Sequence, residues 1–137
     1  MADNPILVVQ SFVKAINGGD LNALRALMSD DHVFVDAQGR EVAGADTMVV
    51  GWRAFFASYP QYWILVDHSF VDGDRVALFG EAGGKWSVAG KLLPETWQTR
   101  AAWLAVVEGG RVSRWSVFCD TSWVYPPRDR APEEVPA

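Results

Sequence analysis

At 137 residues, half of them hydrophobic, the chain is sized for one domain that buries a core without staples. Its net charge of −5, with no run of Lys or Arg, argues against nucleic acid or an anionic membrane as the main partner and leaves a small apolar ligand as the expected one. A single cysteine, Cys119, allows no internal disulfide and no Cys-based metal site; no metal and no cofactor are expected.

The N-terminus shows no basic segment leading into an apolar core and cleavage site, and no apolar run approaches ~20 residues, so the expected location is the cytoplasm. Asn4 suits an N-cap with Pro5 at the first helical position, and Val8, Val9, Phe12, Val13 and Ile16 form an apolar stripe at helical spacing. Gly18-Gly19 ends that helix. Asp20 caps a second, with Leu21, Leu24, Leu27 and Met28 inward, before Ser29-Asp30-Asp31 turn the chain into a short strand from His32 to Asp36. A third helix over 46–59 carries Met48, Trp52, Phe55, Phe56 and Tyr59 on one side, and Pro60 closes it.

From Gln61 the period becomes that of strands. Residues 62–71 and 75–81 flank Asp72-Gly73-Asp74, and residues 99–107 and 111–118 flank Glu108-Gly109-Gly110, so two hairpins are expected. Between them, residues 83–96 read as a short strand and a loop over a cavity mouth. Helices before a long antiparallel sheet make an α+β plan. The expectation is a cone-shaped barrel: a strongly curved, mixed but mostly antiparallel sheet wrapped around three N-terminal helices. One domain spans 1–125, and 126–137 is a Pro-rich, charged, flexible tail.

Val9-Gln10-Ser11-Phe12 leads to Asn17-Gly18-Gly19-Asp20-Leu21, followed by Leu27-Met28-Ser29-Asp30-Asp31, Gly44-Ala45-Asp46 and Phe56 to Tyr62. Asp72-Gly73-Asp74-Arg75-Val76-Ala77 and Gly110-Arg111-Val112-Ser113-Arg114-Trp115 complete the set. In their order and spacing, from about Val8 to Asp120, these stretches give the chain a likeness to one family: it resembles the SnoaL-like and ketosteroid-isomerase-like branch of the nuclear transport factor 2 superfamily, an α+β roll also called cystatin-like. The resemblance implies an isomerase, cyclase or dehydratase type of chemistry on an apolar cyclic or polyketide-like substrate, or a fold-mate with no chemistry. It also implies a homodimer formed through the outer sheet face.

Asp36 matches the general base of the steroid isomerases. Their oxyanion-hole Tyr falls on Phe12 and their oxyanion Asp near Ala102, so both donors are missing, and steroid isomerisation by that mechanism is disfavoured. Limonene-type epoxide hydrolases carry an acid two residues after the final-strand Trp, and SnoaL-like polyketide cyclases use one there too; that position is Val117 here, which disfavours the nearest versions of both routes.

If Phe79 faces the cone, strand alternation turns Glu81 inward with it, and Asp36 and Glu81 divide the acid and base roles. Glu81 solvated at a strand end is the competing reading. Asp36 itself reads either as a base or as a turn residue before Ala37-Gln38-Gly39-Arg40. His68 shares parity with Tyr62, Ile64 and Val66 and is a third catalytic candidate, whereas His32, opening its strand, is expected to be exposed. Phe12, Trp52, Phe56, Phe79, Trp86, Trp97, Trp103, Trp115 and Val117 are the expected substrate-binding residues, with Trp86 and Trp97 placed to gate the mouth. Cys119 reads as an inert thiol. Two functions stay open: a carboxylate-based small enzyme, and a hydrophobic-ligand-binding or dimerisation domain.

Overall fold

The computed structural model describes residues 4–127, and the tail expected from 126 onward lies outside them beyond Pro127. Helix α1 (Pro5–Asn17) begins where Asn4 Oδ1 accepts from the Ile6 amide, and buries Val9, Phe12, Ala15 and Ile16. Asp20 caps α2 (Leu21–Leu27) through the Ala23 amide. No turn follows. Strand β1 (Met28–Val35) starts directly after α2, with Met28 fully buried as its first residue. The acidic run 30–31 is strand, and Arg25 reaches Asp30 at 2.9 Å and Asp46 at 2.8 Å across it.

After the short β2 (Glu41–Ala43) comes α3 (Ala45–Ser58), and then the long strands β3 (Trp63–Asp72), β4 (Arg75–Val88), β5 (Lys91–Glu108) and β6 (Arg111–Cys119). They form one six-stranded sheet in the order β2-β1-β6-β5-β4-β3, parallel between β1 and β6 and antiparallel elsewhere. The sheet is mixed as expected, but it ends in two edge strands and does not close into a barrel. The third helix follows the first strand as expected, but the short β2 between them was not expected.

Both expected hairpins form, and a third joins β4 to β5. There Val88 pairs with Lys91 around Ala89-Gly90, both at positive φ (52° and 78°), the geometry of a two-residue primed turn. Residues 83–96 are therefore two strand arms. Asn17 pins the end of α1 to β3 by donating to the Ile64 carbonyl at 3.0 Å and accepting from its amide at 2.7 Å. Among the described residues no helix is long and apolar enough to cross a membrane.

Candidate functional site

The cavity arises from small side chains on the inner sheet face. Strand alternation turns Ala82 of β4 and Thr99 and Ala101 of β5 toward the helices, and register sets Ala82 beside Thr99 and Ala101 beside Cys119. Where bulk is missing, a space of about 750 Å³ opens, walled by Phe34, Trp103, Trp115 and Val117 of the sheet and by Met48, Trp52 and Phe55 of α3. Tyr59, Tyr62 and Trp123 continue the wall. The mouth is bordered by Gln38, Arg40, Val42, Val50 and Tyr125, all exposed.

Asp36 is on this wall, just past the end of β1. Its Oδ1 accepts from the backbone amides of Gln38 (2.9 Å) and Arg40 (3.0 Å), and its Oδ2 accepts from Arg40 Nε at 3.0 Å. Partial burial would raise its pKa, but the two amides and the guanidinium outweigh that and hold it below the ordinary carboxylate value. The side chain is 31% exposed. Asp36 is thus both the turn residue and a cavity residue, and it is the one carboxylate on the wall among the described residues.

The other two catalytic candidates are on the opposite face. Phe79 and Glu81 do share parity, but the inward positions of β4 are Val76, Leu78, Gly80 and Ala82, so both point outward. Phe79 is 46% exposed, and Glu81 accepts a hydrogen bond from Gln98. His68 changes face because β3 carries a bulge at Asp67: Val66 pairs with Gly80, but His68 pairs with Phe79. His68, Phe79, Ala102 and Phe118 therefore form one outward row across four strands. The inward neighbours of Ala102 are Ala101 and Trp103, so no carboxylic acid faces the cavity from that stretch.

Of the residues expected to bind substrate, Trp52, Trp103, Trp115 and Val117 line the cavity. Phe12 sits behind them, fully buried with its ring 4.8 Å from Trp115, and Phe56 stacks on Trp52 at 5.4 Å. Trp86 and Trp97 are buried and outside the lining, where they support Trp123. His32, expected to be exposed, is fully buried; its Nδ1 lies 2.7 Å from the Val112 carbonyl and its Nε2 has no partner. Its inward direction was readable from its parity with Asp36, but α1 covering the start of the strand was not.

The expected substrate-binding set left out Phe34, Tyr59, Tyr62 and Trp123, all of which are on the wall. Phe34 was legible, since it shares strand parity with Asp36. Trp123 was not, because it follows the last strand in a short 3-10 turn, Ser122–Val124. Burial and then the Cys119 charge push the Tyr62 phenol well above its usual range, and burial likewise raises Cys119. Neither is primed to give up a proton. The indole N–H groups of Trp52, Trp103 and Trp115 are buried with no acceptor. Among the described residues no group of three or more His, Cys, Asp or Glu is placed to hold a metal ion.

The model of the SnoaL-like domain family matches residues 9–115. Similar solved structures include a candidate polyketide cyclase from Xanthomonas campestris pv. campestris, at 18% identity and TM-score 0.78, covering 88% of this chain and 93% of that one. A candidate SnoaL-like polyketide cyclase from Jannaschia sp. CCS1 gives 17% identity and TM-score 0.77, covering 90% and 94%. A protein of ketosteroid-isomerase-like fold from Catenulispora acidiphila, in complex with trimethylamine, gives 21% identity and TM-score 0.71, covering 81% and 83%. At these identities the likeness is one of fold. No curated protein matches the sequence.

Proposed function

The chain belongs to the SnoaL-like domain family, and from that premise we propose that it binds an apolar, ring-containing small molecule in its aromatic cavity and that Asp36 acts on it as a general base. The observation that carries this reading is the wall itself: a cavity of about 750 Å³ faced by Trp, Phe and Tyr rings, with one ionised carboxylate at its edge. A base must be ionised to accept a proton, and Asp36 is held in that form. The C–H it would attack is one flanked by carbonyl groups, as in a polyketide-like substrate, where the enolate formed is delocalised.

Three unpartnered indole donors on the same wall favour a ligand that carries oxygen acceptors, met after the side-chain adjustment that binding commonly brings. The test is solvent-deuterium incorporation into a cyclic β-dicarbonyl phenol, followed by NMR. Asp36→Asn keeps the turn hydrogen bonds and is expected to slow incorporation roughly 10²- to 10⁴-fold. Equal rates in the two proteins would remove the base assignment.

A second reading has its own support. Asp36 already accepts three hydrogen bonds, and among the described residues no second acid shares the cavity, which suits a cup that holds its ligand unchanged. Under either reading the outward face is proposed to pair with a second copy. Leu65, Phe70, Phe79 and Phe118 are exposed there among Glu81, Arg100 and His68, a mixture able to match itself across a two-fold axis.

A further inference from the structure

We propose that residues 121–125 are a movable strap over the cavity, latched by Tyr59 and Trp86, and that Trp123 is the residue whose position decides which ligands enter. This rests on the reading that the cavity takes a small molecule. The strap supplies Thr121, Trp123, Val124 and Tyr125 to the wall, so its removal would open one side of the site.

What ties it down is different from what ties down the sheet. Among the described residues, no backbone-to-backbone hydrogen bond joins the strap to any other element, and the one it makes is internal, from the Val124 amide to the Thr121 carbonyl at 3.1 Å. Two side chains hold its carbonyls: Trp86 Nε1 donates to Trp123 O at 2.7 Å, and the Tyr59 hydroxyl donates to Val124 O at 3.0 Å. The Trp123 ring then lies flat on Trp97, with centroids 4.0 Å apart and planes 9° apart, and takes the edge of Tyr59 at 5.0 Å. Each of these contacts can break without disturbing a strand ladder.

Closure also carries a polar cost. The Trp123 indole N–H is buried without a hydrogen bond of normal geometry, next to the Cys119 thiol, a weak acceptor. Opening returns that donor to water. On the upstream side, Asp120 Oδ1 accepts from the Ser122 amide at 2.7 Å, a contact local enough to travel with the strap. Among the described residues, two hydrogen bonds at fixed anchors, a stacked ring and a poorly met donor mark a unit expected to open before the sheet does.

The Trp86 indole proton is itself a latch hydrogen, so its exchange reads the opening directly. By NMR, its protection factor is expected to be at least a hundredfold below that of the Trp103 amide, which sits in the β5 ladder. Tyr59→Phe removes one latch while keeping the ring. It is expected to speed Trp86 indole exchange, and alkylation of the single cysteine Cys119 by N-ethylmaleimide, about tenfold, with Trp103 unchanged.

Equal protection of Trp86 and Trp103 in the wild-type protein, or a Tyr59→Phe variant that moves neither readout, overturns the proposal. Entry of the dye 1-anilinonaphthalene-8-sulfonate, followed by stopped flow, is expected to quicken in the same variant. Failure of the dye to bind wild-type protein counts against the cavity reading, and the exchange result still decides the strap.

Discussion

Asp36 and His32 share one side of the same chain segment and meet opposite surroundings. Asp36 is partly exposed and held as an anion by its own turn and by Arg40. His32 is enclosed beneath α1; burial lowers its pKa, and the Val112 carbonyl and the charge of Asp31 offset this only in part. Its folded pKa thus lies below the unfolded 6.5, so as pH falls beneath about 6.5 the unfolded chain binds more protons and stability declines. From this one group the slope is at most about 1.4 kcal/mol per pH unit. Urea unfolding between pH 8 and pH 5 is expected to show that loss in the wild-type protein. His32→Leu should be weaker at pH 8 but flat across the window, and a slope that survives the substitution would assign the loss elsewhere. Asp36 acts in a separate window. Its contribution is present above 3.8, its ordinary value, and is lost as pH falls through its lower folded value.

The bulge at Asp67 decides the face of half a strand, and Gly80 is the residue that permits it. A Cβ at Gly80 would lie 1.9 Å from the Leu65 carbonyl oxygen and 2.9 Å from its carbon, both backbone atoms that cannot move without parting β3 from β4. Gly80→Ala is therefore expected to cost about 3 kcal/mol in urea unfolding. A neutral result would mean that β3 and β4 do not approach as described. This pair of strands also shows why the sequence was only partly legible. Caps such as Asn4-Pro5 and Asp20, and glycine turns such as Gly109-Gly110, act within a few residues and are visible in the letters. The bulge is a property of two strands together, so counting parity through Asp67 put His68 on the wrong side, and nothing in β4 alone says which of its faces is inner. The Ala89-Gly90 turn was hidden because Ala rarely adopts positive φ, a conformation held here by the ladder on either side. Asp36 was found because its position follows from a short strand and a turn, while the strap was missed because its anchors, Tyr59 and Trp86, are 65 and 37 residues from the carbonyls they hold.

The sheet has two unlike faces: an inner one whose small residues leave a cavity, and an outer one with Phe79 and Phe118 exposed at 46% and 56%. A lone chain leaves that outer row in water, and pairing with a second copy would cover it. Sedimentation at tens of micromolar is expected to give a dimer that the double variant Phe79→Lys, Phe118→Lys dissociates; a wild-type monomer would contradict the pairing. The cavity can be filled from the sheet side without touching Asp36, because Ala101 and Val117 both face it. Isothermal calorimetry with a dihydroxyanthraquinone, a flat ring system bearing oxygen acceptors, compares the wild-type protein with the double variant Ala101→Phe, Val117→Phe. Micromolar binding that weakens at least tenfold in the filled variant is the predicted result, and equal affinity in both proteins, or none in the wild type, would contradict the account of the cavity as a ligand site.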